Sequence, residues 1–303
     1  MSTCPAGTGS ESCCTSLEVT GGSYYRTYTN DGSGVTGIAD PASVSSFCLD
    51  KYLVTVGRFR QFVTAWNGGW LPAQGSGKHT HLNGGQGLVN VGTGGGYETG
   101  WDATDWNNTT DVDPTTANLT TNCDSTFNTW GGGDDNRPIN CVNWWEAYAF
   151  CIWDGGFLPS ESEWEYVAAG GSQQREYPWG NAAVGTACPG TGCEYAIYQA
   201  DYPNGSGCCG QVTNIAPVGY ASQGAGLWGQ LDMAGEVFEW NLDWSAGYAS
   251  CTDCANLSPA QITRVVRGGY FLGMATPLLP PFRSGDAPTS RFFGLGFRCA
   301  RTP

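Results

Sequence analysis

Apolar and polar positions recur with two different periods along this chain, and each change of period marks an element. From Leu17 to Thr29 the β-formers Tyr24, Tyr25 and Tyr28 predict extended chain, with Gly21 and Gly22 as a turn. Phe47 to Tyr52, FCLDKY, predicts a strand. In the following LVTVGRFRQFVTAW, Val56, Phe59, Phe62 and Val63 fall on one helical face. Between Asn143 and Trp153 the period is again helical, with Trp145, Ala149 and Trp153 at i, i+4 and i+8. Ser160 and Glu163 form a capping box that opens the next helix, which turns Trp164 and Val167 inward. From Ile215 onward short strands and turns alternate. The stretch 67–136 lacks apolar periodicity and is rich in Gly, Asn, Thr and Asp. It is long for a structureless loop, so it reads as a surface insertion held by its own turns and by Cys123. No repeat or linker divides the chain. The pattern predicts one domain over 16–303, preceded by an irregular arm, 1–15, whose Cys4, Cys13 and Cys14 tether it. Cys48 is the natural target for one of them.

The remainder is organised around Gly226–Trp244, GLWGQLDMAGEVFEWNLDW. Asp232 and Glu239 flank a turn containing Gly235, and Trp228, Phe238, Trp240 and Trp244 crowd the same segment. Acids among buried aromatics are costly unless a cation or strong donors neutralise them. Calcium takes carboxylates together with backbone carbonyls, and glycine lets the backbone bend toward it. The alternatives are an acidic surface turn beside a Trp-rich core, or a buried pair with Arg267 or Arg298.

Composition changes the picture in three ways. With 46 Gly and 13% charged residues, the 303-residue chain is loop-rich, but 13 Trp supply a real core and argue against disorder. With 27 acidic against 13 basic residues, net −14, it repels phosphate backbones, which argues against nucleic acid as a partner. No apolar run approaches the ~20 residues of a transmembrane segment, and MSTCPAGTGS has neither the charged start nor the apolar core of a signal peptide. Fourteen Cys nevertheless point to disulfides and an extracellular or cell-surface location; a trimmed mature start at Met1 reconciles the two, and reduced cytosolic thiols are the alternative. Cys251–Cys254 and Cys188–Cys193 pair by proximity. No second C-x-x-C lies at zinc spacing, and His79 and His81, the only histidines, offer either a metal site or a loop hydrogen bond.

The hub resembles the D-M-x-G-N-V-W-E-W motif of the formylglycine-generating enzyme family, the sulfatase-modifying-factor domain. Asn140–Gly171 (NCVNWWEAYAFCIWDGGFLPSESEWEYVAAGG), Tyr177–Asn181 (YPWGN), Arg264–Gly269 (RVVRGG) and Gly294–Ala300 (GLGFRCA) resemble further family motifs, in family order, over nearly the whole chain. The resemblance implies a single C-type-lectin-like α+β domain, loop-rich with short strands and few helices. It implies a calcium site formed by the side chains of Asp232 and Glu239 and the carbonyls of Gly235 and Val237, with Glu236 pointing away by strand alternation. It implies a disulfide between Cys151 and Cys299.

The family's oxidase chemistry rests on copper held by a cysteine pair after R-G-G, since soft thiolates suit Cu(I). Here the stretch reads RGGYFLGMATPL, with Gly273 and Leu278 at the two cysteine positions. The family's second calcium site is also altered: Ala196–Ile197 stands where an Asn-Ile pair is usual, and Gly210 and Val212 where an acid and an aromatic are, so both side-chain oxygens are missing, and the nearby Cys188, Cys193, Cys208 and Cys209 suggest stapling instead. The expectation is therefore a non-oxidase, secreted or surface-exposed member. It would bind a peptide, protein or glycan through Tyr270, Phe271, Met274, Arg283, Phe292 and Phe293, an aromatic set with one Arg of the kind found in binding hot spots. The alternatives are a formylglycine-generating or related metal-dependent oxidase, and a structural surface protein.

Overall fold

Strand alternation is clearest at Gly22–Asn30, where Tyr24, Arg26 and Tyr28 are buried and Tyr25, Thr27 and Thr29 face solvent. The computed structural model describes residues 3–4, 11–184, 195–203, 211–259 and 261–303. The expected Cys188–Cys193 pair, Cys208, Cys209 and Gly210 lie outside the described residues. Two short strands, β1 (Thr3–Cys4) and β2 (Glu11–Ser12), pair with each other. Then come β3 (Ser16–Val19), β4 (Gly22–Asn30), β5 (Val35–Val44) and β6 (Phe47–Asp50). Next are α1 (Val56–Asn67), β7 (Val89–Asn90), α2 (Ala103–Trp106), α3 (Trp144–Trp153) and α4 (Glu161–Ala168). The remaining strands are β8 (Phe238–Trp244), β9 (Cys251–Thr252), β10 (Cys254–Ala255), β11 (Arg264–Arg267), β12 (Ser284–Asp286), β13 (Leu295–Gly296) and β14 (Ala300–Arg301). This is the loop-rich α+β architecture expected.

β8, the strand of the hub, lies inside a four-stranded sheet ordered β12-β11-β8-β13, antiparallel to β11 and parallel to β13. β6 is the middle of β14-β6-β3, where Leu49 faces Leu17 on one side and Ala300 on the other. β4 and β5 form a long hairpin with β9 at its edge. Gly21 precedes the hairpin because a Cβ there would lie 2.5 Å from the Val44 carbonyl oxygen.

The expected capping box at Ser160 forms, and α3 has a second one that was not expected. The Ser160 hydroxyl accepts from the Glu163 N–H at 3.2 Å while Glu163 accepts from the Ser160 N–H at 2.8 Å; Asn143 and Glu146 do the same for α3. The buried stripe of α3 differs from the expected one. Trp144, Ala147, Tyr148 and Cys151 are buried, whereas Trp145 and Trp153 are only half-buried. A helix covered on several sides carries apolar residues nearly all round, so spacing alone does not single out its inner face.

The stretch 67–136 is more than a surface insertion. Leu82, Leu88, Trp101, Val112 and Leu119 join Phe59 and Phe62 of α1, Phe150 of α3 and Phe297 in the main core. Phe59 stacks on Phe150 with centroids 5.7 Å apart. Irregular chain reaches the core with isolated side chains, and no periodicity marks them. A Cys123–Cys141 disulfide closes the stretch.

Cys151–Cys299 ties α3 to the C-terminal strand, and Cys251 pairs with Cys254, both as expected. The arm is held differently. Cys13 is in a disulfide, while Cys14 and Cys48 are free thiols. Cys48 is not its target because alternation along β6 turns it to the outer face, across from Glu18 and Arg301. Among the described residues no helix is long and apolar enough to cross a membrane.

Candidate functional site

The hub folds as a tight turn running into a strand. Asp232, Gly235 and Glu236 all have positive φ, at 57°, 86° and 60°. Gly235 is required: its N–H donates to the Gly268 carbonyl at 2.7 Å, and a Cβ would lie 2.4 Å from the Ile197 oxygen. The Glu236 N–H donates to Ile197, and its carbonyl accepts from Phe271. The turn is thus stitched to the RVVRGG segment on one side and to Ile197 on the other. Ala196 and Ile197 are themselves buried and apolar.

These dihedrals correct one expectation. Strand alternation does not begin until Phe238, so Glu236 does not point out of the site. It is buried, its Oε2 accepts from the Ala216 N–H at 3.2 Å, and its Oε1 has no partner among the described residues. Asp232 is arranged alike: Oδ2 accepts from the Gly219 N–H at 2.7 Å and Oδ1 is buried without a partner. Burial, partly offset by the Gly219 bond, pushes the Asp232 carboxyl up to about 6. Burial, with Asp232 nearby, pushes Glu236 well above the usual carboxylate range.

Glu239 is neutralised by a guanidinium. Its Oε2 accepts from Arg298 Nε at 2.7 Å and its Oε1 from Arg298 Nη2 at 2.9 Å. Of the two arginines weighed, Arg298 takes this role; Arg267 is engaged with Glu161 and Glu165, both at 2.7 Å. Of the four expected ligand positions, Asp232, Gly235 and Val237 fall in the turn and Glu239 follows in β8. Asp232 offers an open oxygen, and Glu239 already carries a cationic partner. A carboxylate oxygen has two acceptor lone pairs, so the donor set fits a hard cation if Glu239 is shared.

Beyond Gly268 the chain reaches the two positions where the resemblance places copper-binding cysteines. Gly273 closes a turn, donating to the Tyr270 carbonyl at 2.8 Å and accepting from the Gln199 N–H at 3.0 Å. Leu278 is buried among Val184, Ala196, Tyr198 and Ala234. Neither side chain can ligate a metal, and Leu278 is part of the packing.

The six expected ligand-binding residues do not stay together. Tyr270, Phe292 and Phe293 form a half-buried aromatic face: Phe292 lies 4.4 Å from Phe293 and 5.4 Å from Tyr270 between centroids. Phe271 packs beneath them with no exposure. Phe127 from the 67–136 stretch stacks on Phe293 at 4.9 Å, and Phe238 of the hub stacks on Tyr270 at 5.4 Å. Sequence reading missed these two; Phe127 stands alone in a polar run, and Phe238 is masked by the acids around it. Gly294 lets the rings close up, since a Cβ there would lie 2.6 Å from Tyr270. Met274 is 72% exposed. Arg283 is held elsewhere, bidentate on Glu161 at 2.8 and 2.6 Å, because its strand neighbourhood faces α4.

Residues 4–303 match the family described as "Sulfatase-modifying factor enzyme 1-like domain". The chain is 35% identical over 175 residues to "Formylglycine-generating enzyme" of Streptomyces coelicolor, covering 55% of this chain and 54% of that one. It is 32% identical over 168 residues to "Inactive C-alpha-formylglycine-generating enzyme 2" of Bos taurus, covering 54% and 50%. The chain thus spans about half the length of the curated relatives it matches. "Treponema denticola variable protein 1" superposes with a TM-score of 0.53 at 18% identity over 95% of both chains, a likeness of fold alone.

Proposed function

Because the chain belongs to the sulfatase-modifying factor enzyme 1-like family, we propose that it is a non-oxidase member of it, an extracellular module that binds a peptide, protein or glycan. The observation that carries this reading is the pair Gly273 and Leu278. Copper chemistry of the family's kind needs sulfur at both places, and here one residue closes a turn and the other fills a core. A relative bearing the name "Inactive" at an identity close to that of the relative named as an enzyme makes such loss familiar within the family. The half-buried rings of Tyr270, Phe292 and Phe293 provide the contact surface, because exposed aromatics bury large area at small entropic cost. Disulfides at Cys123–Cys141, Cys151–Cys299 and Cys251–Cys254 favour an oxidising compartment.

The direct test is oxygen uptake by the copper-treated protein with a cysteine-containing peptide. No uptake above the peptide blank is expected, and peptide-linked oxygen consumption would overturn the reading. A glycan array and a peptide library probed with wild type and with the Tyr270→Ala/Phe292→Ala double variant test the contact surface. Hits that survive the double variant would remove those residues from the role, and a chain without hits would favour a structural surface protein.

The same reading includes calcium at the hub. Asp232 Oδ1, buried and open, supports it, as does the lack of an ion pair at Asp232 and Glu236 among the described residues. Asp232 and the carbonyls of Gly235 and Val237 would hold the ion, with Glu239 shared between it and Arg298 and the open Oε1 of Glu236 nearby. The ion would neutralise acids whose hold on a proton burial strengthens. EDTA should lower the melting temperature, and Asp232→Ala should abolish that sensitivity. A melting curve that EDTA leaves unmoved would leave proton retention as the account of these acids.

A further inference from the structure

At the far end of β8 from the aromatic face lies a cavity of about 390 Å³ whose walls are the rings of Trp106, Trp144, Trp145, Tyr148 and Trp244, with Arg264 among them. Trp244 and Phe238 occupy opposite ends of β8, roughly 20 Å apart at about 3.3 Å per residue. The cavity is therefore separate from the surface proposed above.

Its charged group is unusually placed. The Arg264 guanidinium lies between two indoles, 3.6 Å from the Trp144 centroid and 3.8 Å from that of Trp244. The buried Arg58, Arg267 and Arg298 each carry a carboxylate. Arg264 has none within ion-pair distance among the described residues. Nη1 donates to the Leu242 carbonyl at 2.6 Å, and Nε is buried without an acceptor among the described residues. The neighbouring acids are engaged elsewhere. Asp243 accepts from the Glu161 and Asn256 N–H groups, both at 2.7 Å. Glu98, also on the cavity wall, accepts from His79 Nδ1 at 3.0 Å. Burial lowers the Arg264 pKa to about 9, an effect that the nearby Asp243 offsets only in part.

We propose that this cavity binds a small carboxylic acid whose body is a ring. The carboxylate takes the guanidinium of Arg264, which has no carboxylate of its own among the described residues, and charge-assisted bonds of this kind are strong when desolvated. The ring lies against the indole and phenol faces, as either an aromatic ring or the C–H face of a sugar acid. The volume suits a ligand of one or two rings. A cationic ligand is disfavoured by Arg264. A purely apolar ligand would leave the guanidinium without a carboxylate, at the cost of an unmatched buried charge.

The test is calorimetric titration of the full chain with phenylacetate and with glucuronate, each beside a neutral analogue, phenylacetamide or glucose. At least one acid should bind saturably, and its neutral analogue at least about tenfold more weakly, the loss of one charge-assisted interaction. Phenylacetate alone binding identifies the aromatic source, and glucuronate alone the sugar source. Arg264→Met should abolish binding. Failure of both acids at millimolar concentration, equal binding of the neutral analogues, or a folded Arg264→Met variant that binds as wild type would each overturn the proposal.

Discussion

His79 shows how much one side chain can be fixed by distant partners. Its Nδ1 meets Glu98 at 3.0 Å and its Nε2 meets Glu163 at 3.0 Å, in full burial. Burial alone would lower its pKa, but Glu163 and Glu98 outweigh this and hold it at about 10. The folded-state value lies above the unfolded one, so its stabilisation is complete below about pH 6.5 and is lost as pH rises toward 10. His79→Gln should flatten the decline of unfolding free energy across that range, removing a few kcal/mol of pH dependence; urea melts at pH 6.5, 8 and 10 would show it, and an unchanged slope would rule the ring out as its source. An H-x-H pair in a polar run left a metal and a hydrogen bond both open, because the partners lie 19 and 84 positions away. Gly235 was legible by contrast, as a glycine inside a motif. Gly235→Ala should cost several kcal/mol through its positive φ and the 2.4 Å clash with Ile197, read as a lower melting temperature.

At the scale of elements, local chemistry was legible and orientation was not. The capping box at Ser160 and the stripe of α1 are each written within a few residues, so they could be read directly, whereas the equally local box at Asn143 went unread. Ser160→Ala should destabilise by about 1–2 kcal/mol, since the buried hydroxyl both caps α4 and donates to Glu163 at 2.8 Å; thermal melts would detect it, and a neutral outcome would mean water replaces the cap. The inner face of α3 and the direction of Glu236 depend on what packs around them. For Glu236 the cause is specific: asparagine or aspartate enters the left-handed region with little strain, and glutamate does not, so nothing in its identity announces φ of 60°. The aromatic face was half legible for the same reason. Tyr270, Phe292 and Phe293 are close in sequence terms to the closing motifs, whereas Phe127 arrives by tertiary folding.

For the whole molecule, the tie between α3 and the end of the chain dominates. Cys151–Cys299 spans 148 positions, and closure of such a loop restrains the unfolded chain by on the order of 4–5 kcal/mol on the entropic account. The Cys151→Ala/Cys299→Ala double variant should melt well below wild type in the absence of reductant; equal melting would show the tie to be redundant with the packing around it. Arg298, beside it, donates to the Asp50 carbonyl across 248 positions, and β14 completes the sheet of β3 and β6. During synthesis, at about 5–20 residues per second, β6 waits on the order of tens of seconds for that partner. The segments translated first are thus among the last to be paired, and a nascent chain must keep an open β-edge shielded throughout that delay. A ribosome halted just short of Arg298 would release a polypeptide with its middle strand uncovered on one side, Glu239 without its guanidinium and Cys151 without its bond.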